Sequence, residues 1–379
     1  MPSRAAAAAA AFFALPVLAQ DAPPASFVRV LDAQLKERAA NYLSQRFDVL
    51  DVKYVRPDGT GRNEGWGVNY RWDAEKSDAR LGEIDGRFAM RALSYSVAID
   101  GSYAFSDADN NQDWSTAQAA VRLERGDFGA LRPVPAEQSA AFQDCLAALP
   151  EDSDDAAEQQ KIEEQEAECW VDFRLDESDA YYYWLDFHGG IEGNQDYDDS
   201  HTVFGLSAAY AREPSAATAR FNVLDWPFRA LRNAFGDGGH YVAPFPSLAV
   251  SLERVDASSD DVRRALTSDA NYTRGAAEIA FQSIVANFGG RPLRFNVSYR
   301  YFHEFSAPDA IKAADLDRFD FLRATLRFPA HLLPFFASDQ YELFVGYTHG
   351  QLPFDQRSDS AFELGIATNI ALLGELLQQ

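Results

Sequence analysis

Apolar and polar side chains alternate strictly from Leu293 almost to the end of the chain. In the first of these segments the apolar and aromatic positions are Leu293, Phe295, Val297, Tyr299 and Tyr301. The positions between them are Arg294, Asn296, Ser298 and Arg300. Side chains of a β-strand point to opposite faces of the sheet in turn, so each segment has one apolar and one polar face. The chain must therefore form a sheet that separates an apolar medium from a polar one.

The same period of two recurs upstream, which predicts a sheet of about twelve strands. The predicted strands cover residues 47–55, 63–73, 87–105, 114–124, 180–192, 201–212, 247–255, 271–285, 291–305, 318–328, 339–349 and 360–372. An even number of antiparallel strands brings both ends of the sheet to the same side, as in single-chain bacterial barrels.

The composition favours a barrel that crosses a membrane. Aromatic residues make up 13% of the chain, with 16 Tyr and 28 Phe, which suits aromatic girdles at both membrane interfaces. After Gln20 no apolar run is long enough for a membrane-spanning helix. We therefore predict an all-β fold, a transmembrane antiparallel β-barrel over residues 47–373. The alternative is a soluble β-sandwich, which would bury the apolar faces against a second sheet.

The first residues resemble a secretory signal. Arg4 provides the positive charge, residues 5–17 are apolar, and small residues precede Gln20, so residues 1–19 are predicted to be removed on export through the Sec pathway. Residues 20–46 have the spacing of a short amphipathic helix, which would cap the barrel from the periplasm or plug its lumen. Residues 374–379 are predicted to form a C-terminal tail.

Two segments interrupt the strand pattern. Residues 126–178 read as a charged helical insert that contains Cys145 and Cys169, and these cysteines are predicted to form a disulfide in an exported protein. Residues 213–245 contain an interfacial-helix pattern, because four apolar side chains gather on one side. They are Trp226, Phe228, Leu231 and Phe235. Packing of this helix beneath the barrel wall is the equally weighted alternative.

The net charge of -24 argues against nucleic acid as a partner, because nucleic-acid binding needs clustered Lys and Arg. Acidic loops at a bacterial surface could instead hold divalent cations that bridge lipopolysaccharide phosphates. The loop at 107–113 begins like a calcium loop, but it lacks the Gly and the Glu that such a loop requires, which favours a solvated turn. We predict neither a metal site nor a cofactor.

The polar face of the predicted strands carries charges of both signs. In a barrel these side chains would face the lumen, where they must be hydrated or paired. The predicted lumen-facing charges are Arg71, Asp186, Glu278, Arg294, Arg300, Glu304, Arg323, Arg327, Glu342 and Glu363.

No catalytic motif is apparent in the sequence. None of the six histidines has a serine two residues away, the spacing that would put both side chains on one face of a strand. We therefore predict that the chain is not an enzyme. A lipid-modifying site around His303 or His188 remains an alternative.

The predicted export signal and the alternating strands resemble those of the bacterial outer-membrane β-barrel proteins of Gram-negative bacteria, taken as a broad class. The closing segment Phe362-Glu363-Leu364-Gly365-Ile366 partly matches the assembly signal of that class, although it lacks a terminal Phe or Trp. The resemblance implies an outer-membrane location, contact with outer-membrane lipid and lipopolysaccharide, and insertion by the barrel assembly machinery.

The expected function is a passive channel for small polar solutes. The first alternative is a structural or interaction barrel that contacts a periplasmic protein partner through residues 126–178 and 213–245. The second is a lipid-modifying enzyme.

Overall fold

The computed structural model of the protein is a closed barrel of twelve antiparallel strands. It describes residues 49–57, 64–84, 87–105, 114–130, 179–194, 199–235, 241–288, 291–329 and 341–369, together with scattered residues between 144 and 169. The predicted signal at 1–19, helix at 20–46 and tail at 374–379 lie outside the described residues.

Each strand pairs with its neighbours in the sequence, and β1 pairs with β12 to close the ring. The strands are β1 (Val49–Pro57), β2 (Gly65–Ile84), β3 (Arg87–Ala104), β4 (Trp114–Ala130), β5 (Ala180–Gly193), β6 (Ser200–Glu213), β7 (Ser247–Asp256), β8 (Asn271–Phe288), β9 (Arg291–Phe305), β10 (Arg318–Pro329), β11 (Tyr341–Leu352) and β12 (Asp355–Asn369). We call the end of the barrel where β1 begins and β12 ends the terminal end, and the opposite end the loop end. The predicted twelve-stranded antiparallel barrel is confirmed.

Several strands differ in length from the prediction. β2 continues past residue 73 to Ile84 and stays paired with β3 throughout, and β4 continues to Ala130, so residues 126–130 belong to the sheet and not to the insert. β12 begins at Asp355, five residues before the predicted start at residue 360. Polar residues occur at both odd and even positions of 74–84 in the sequence, so no alternation marks this part of the strand.

The outer face of the barrel is apolar and exposed. Phe204 is 69% exposed, Val250 and Leu364 are each 57% exposed, and the neighbouring outward residues Leu252 and Phe362 are exposed as well. A β-sandwich would bury these side chains against a second sheet, whereas the described strands form a single closed sheet. The soluble-sandwich alternative is therefore wrong.

Two long connections lie at the terminal end, since they follow the even-numbered strands β4 and β6. The first contains the predicted disulfide: Cys145 and Cys169 are joined, with their Cα atoms 5.9 Å apart. The second contains α1 (Ala216–Ala219), a 3₁₀ turn (Val223–Asp225) and α2 (Trp226–Ala234). Assignment of the terminal end to the periplasm stays a prediction.

Two further short helices lie in loops at the loop end, α3 (Asp261–Leu266) between β7 and β8 and α4 (Asp309–Ala313) between β9 and β10. Among the described residues no helix combines the length and the apolar character needed to cross a lipid bilayer.

Asp179 fastens the start of β5 to the connection that follows β6. Its carboxylate accepts hydrogen bonds from the Ser215 backbone N–H at 2.7 Å, from the Thr218 hydroxyl and from the Arg212 guanidinium. Burial alone would raise the pKa of this carboxyl, but the donated hydrogen bonds outweigh it and lower the pKa to about 2.

This pKa predicts a pH-dependent contribution to stability. The folded pKa of Asp179, about 2, lies below its usual 3.8, so the carboxylate stabilises the fold above pH 3.8, and the contribution is lost as the pH falls towards 2. Asp179→Asn should therefore lower the urea midpoint of unfolding at pH 6, and the difference from the unsubstituted protein should shrink as the pH falls towards 2. Heat-modifiable migration on gels measures the folded fraction. An equal difference at pH 6 and pH 2 would contradict this role of Asp179.

Candidate functional site

The inner face of the barrel is identified by ion pairs that skip strands. Arg274 on β8 binds Glu192 on β5 at 2.6 Å, although β6 and β7 lie between them. Arg327 on β10 binds Asp51 on β1 at 3.1 Å, across β11 and β12. Side chains can meet in this way only on the concave side of the sheet. Together with the strand register, these pairs show which residues face the lumen.

All ten charges predicted to face the lumen lie on this inner face. Residues directly opposite in the register, and every second residue along a strand, point to the same side of the sheet, and this connects each of the ten to one of the two pairs above. They do not form one cluster. Some are packed in dry ion pairs against the wall, and others border open space inside the barrel.

One dry cluster lies at the seam between β1 and β12. The Lys53 ammonium donates to Glu363 at 2.7 Å and to Ser102 at 2.9 Å, and both charged side chains are about fully buried, at 1% and 2% exposed. Arg323 approaches the other oxygen of Glu363 at 3.9 Å. An unpaired charge here would cost several kcal/mol, roughly the 3–5 kcal/mol seen when one partner of a buried pair is removed.

A second dry cluster joins β4 and β5. Arg122 binds Asp186 through two hydrogen bonds, at 2.6 and 3.1 Å, in a bidentate arrangement. Glu124 lies 3.8 Å from the same guanidinium and also accepts from Ser94 at 3.0 Å. Asp186 is among the predicted lumen-facing charges, whereas Arg122 is not.

The third cluster lies on β5 to β8, in the half of the barrel near the loop end. Arg274 is held between Glu192 and Glu253, and His188 lies 3.5 Å from Glu253. These side chains pass over β6 at Gly205, where an added Cβ would come within 2.7 Å of Glu253 and 2.8 Å of His188. A residue without a side chain is therefore required at this position.

The loop between β7 and β8 folds inward over this third cluster. Asp260 caps α3 by accepting from the Arg263 backbone N–H at 2.8 Å, and its carboxylate lies 3.1 Å from the His201 imidazole. Arg263 forms a bidentate pair with Glu304, at 2.7 and 2.8 Å, and its guanidinium lies 4.1 Å from the centre of the Tyr272 ring. Asp260 and Arg263 are both buried, so this loop fills part of the mouth of the barrel.

The strand pattern alone does not predict this inward fold. A signal was nevertheless present in the sequence, because an Asp three residues before Arg263, followed by Val262 and Leu266, is a helix start with an apolar side.

The inner wall formed by β8 to β11, which we call the wet wall, carries charged side chains that are accessible to solvent. Arg300 pairs with Glu278 at 2.8 Å while the two side chains stay 47% and 32% exposed. Arg294 pairs with Glu342 at 3.2 Å, and their side chains are 47% and 34% exposed. Since these side chains point into the barrel, the surface they expose borders unfilled space in the lumen. Arg323 and Arg327 on β10 add to this wall, so four arginines lie on two adjacent strands.

The four residues of the predicted interfacial helix lie on the outside of the barrel. Trp226, Leu231 and Phe235 are exposed, whereas Phe228 is half-buried against the wall, with its ring 5.0 Å from the ring of Phe295. The structure therefore combines the two alternatives, since one side of α2 packs on the wall and the other side is open.

A histidine–serine pair on the outer face was missed by the sequence analysis. The His349 Nδ1 and the Ser360 Oγ lie 2.7 Å apart, on β11 and β12, and the two residues are directly opposite in the register. Spacing along one strand does not reveal this pair, because its two residues lie on different strands and their proximity depends on the register. His303 also faces outward and contacts Phe305 edge-on, whereas His188 is buried inside.

Comparisons with known proteins give similarities of architecture alone. No protein-family model matches the chain, and no curated protein matches its sequence. The outer membrane protein OprD from Pseudomonas aeruginosa is 9% identical, with a TM-score of 0.31, over 84% of this chain and 92% of that one. Outer membrane phospholipase A from Escherichia coli is 7% identical, with a TM-score of 0.32, over 86% of this chain and 91% of that one. The NanC porin is 8% identical, with a TM-score of 0.31, over 84% of this chain and 99% of that one.

At these identities and TM-scores the likenesses assign no function. The deciding observations belong to the chain itself: a ring of strands without an edge, an apolar outer belt and a charged interior. The chain has the architecture of a transmembrane β-barrel. No subfamily follows from its architecture.

Proposed function

We propose that the protein is a passive channel for small polar solutes in the bacterial outer membrane, to which it is exported through the Sec pathway. The observation that carries the proposal is the exposed charge inside the barrel, on Arg294, Arg300, Glu278 and Glu342. A lumen closed by packing would bury these groups, as the seam buries Lys53 and Glu363.

The chemistry of the wet wall suits polar solutes of mixed charge. Four arginines on β9 and β10 offer hydrogen-bond donors, and Glu278 and Glu342 flank them on β8 and β11 with acceptors. A polar solute can exchange its water for these groups, whereas an apolar solute gains nothing from them. The inward-folded loop between β7 and β8 narrows the path at the loop end.

Replacing one wet arginine should change ion selectivity. A unit charge about 10 Å from a permeating ion in water changes its energy by roughly 0.4 kcal/mol, which is about a twofold change in permeability ratio. In planar bilayers under a salt gradient, the reversal potential of Arg300→Gln channels should therefore shift towards cation selectivity. The shift should correspond to about a twofold change in the cation-to-anion permeability ratio.

Arg254→Gln is the matched control, because it removes the same charge from the exposed outer face of β7. It should leave the reversal potential unchanged. Purified unsubstituted protein that gave no discrete openings would refute the channel, and equal shifts from the two variants would refute the role given to the wet wall.

A second candidate function, hydrolysis of lipid acyl esters, is favoured by the His349–Ser360 pair. A serine hydroxyl within hydrogen-bond reach of an imidazole is the arrangement of an activated nucleophile, and this pair lies on the face that meets lipid. In such a reaction Ser360 would attack the ester carbonyl while His349 accepts the hydroxyl proton. An acyl-serine would form, the lipid alcohol would leave, and water would then release the fatty acid.

Ser360→Ala decides this second candidate. If Ser360 is the nucleophile, the protein in detergent micelles should release fatty acid from phospholipid, and the variant should lose that release almost completely, by a factor on the order of a thousand or more. Ser298→Ala, which removes an inner-face serine from β9, should have no effect. No release by the unsubstituted protein, or equal release by Ser360→Ala, would refute the candidate. The interaction with a periplasmic partner through residues 126–178 and 213–245 stays a prediction, and most of the first segment lies outside the described residues.

A further inference from the structure

The connection between β6 and β7 lies against the outer surface of the barrel. The ring of Phe228 on α2 stacks on Phe295 at 5.0 Å and lies 6.1 Å from the ring of Phe281. Both wall residues point away from the lumen, because they alternate with inner-face residues on β8 and β9. The segment therefore covers a patch of the lipid-facing wall near the terminal end.

A buried polar network fixes the segment to this patch. Asp225 is completely buried and receives two hydrogen bonds from Arg232, at 3.1 and 2.6 Å. The hydroxyl of Ser283, on the outer face of β8, donates to Asp225 at 2.6 Å. Asn222 donates to the carbonyl oxygens of Ala243 and Pro244 at 3.2 and 2.8 Å. The contacts of Asp225 and Arg232 with Ser283 tie the segment to β8, and those of Asn222 join its start to the end of the same connection.

Much of the exposed surface of the segment is apolar. Six large side chains form this surface, which we call the apolar shelf: Phe221, Val223, Leu224, Trp226, Leu231 and Phe235. Four of them, Phe221, Val223, Trp226 and Phe235, are more than half exposed, at 60%, 58%, 56% and 59%. A contiguous apolar surface of this kind marks a contact with lipid or with another protein.

Two observations favour lipid as the occupant. Ile279 lies two residues before Phe281 on the outer face of β8 and pairs with Leu248 on β7, and both are exposed, so the apolar belt reaches the part of the wall that the segment covers. Two donors at or beside the shelf also have partners within the segment. The Trp226 indole N–H donates to the Arg220 carbonyl at 3.0 Å, and the Arg229 guanidinium donates to the Ala219 carbonyl at 3.0 Å. These two groups can therefore enter an apolar medium with a hydrogen-bond partner.

We propose that the apolar shelf is embedded among the acyl chains of the membrane leaflet at the terminal end. The segment lies in the plane of the interface, as interfacial amphipathic helices do, and it marks the depth of the barrel on that side. The occupant is lipid, not a second copy of this chain and not another protein. This inference goes beyond the channel function and does not depend on conduction.

Depth-dependent quenching of Trp226 tests the proposal. A variant that keeps Trp226 and carries Phe at Trp66, Trp72, Trp114, Trp170 and Trp184 is reconstituted in phosphatidylcholine vesicles whose acyl chains are brominated either near the headgroup or near the bilayer centre. We expect about a twofold loss of Trp226 fluorescence with shallow bromines and a smaller loss with deep ones, as for a side chain roughly 5–10 Å inside the interface.

The matched control keeps Trp184 instead, because this side chain lies on the inner face of β5 and should show no quenching by either lipid. If the multiple variants do not assemble, the difference between the unsubstituted protein and Trp226→Phe gives the same quantity. Absence of quenching at Trp226 would overturn the proposal, whether the cause is water, a second copy or another protein. A loss of conduction with quenching intact would refute the channel alone.

Discussion

The pairing of β1 with β12 is the contact on which the rest of the structure depends. Val49–Pro57 pairs along its whole length with the end of β12, and this removes the two edges that an open sheet would have. An unpaired backbone group in hydrocarbon costs several kcal/mol, so an open sheet with this apolar face could not enter a membrane. The buried pair of Lys53 on β1 and Glu363 on β12 crosses the same seam, so the closure is made by side chains as well as by backbone.

Closure also divides the charges of the interior into two kinds. Gly205 leaves room for the side chains of His188 and Glu253 to lie flat across β6. Gly346 does the same beneath Glu363, where an added Cβ would lie 3.1 Å from the carboxylate. At such positions the charges pack into buried clusters against the wall. Where the wall instead carries Arg294 and Arg300, the charges extend into open space. The buried charges join neighbouring strands through ion pairs, and the exposed charges offer hydrogen-bond donors and acceptors to the lumen.

The sequence predicted what depends on periodicity. The alternation along β9 correctly put Arg294, Arg300 and Glu304 on one face, since a period of two leaves no other choice once the strand is regular. It could not reveal contacts that depend on register or on loop folding. Lys53 was missed because β1 shows no clean alternation, and His349–Ser360 was missed because the two residues belong to different strands. The turn of Asp260 and Arg263 into the mouth depends on partners 59 and 41 residues away in the chain.

The most direct test of this account is a cysteine scan along β9, because its central claim is that odd positions of this strand meet lipid and even positions meet water. Residues 295–300 are replaced by Cys one at a time, and the protein in vesicles is treated with a membrane-impermeant thiol reagent. The account predicts that Asn296→Cys, Ser298→Cys and Arg300→Cys react, whereas Phe295→Cys, Val297→Cys and Tyr299→Cys do not. Reaction at all six positions would mean that both faces of the sheet are in water, and reaction at none would mean that the interior is dry; either result would contradict the account.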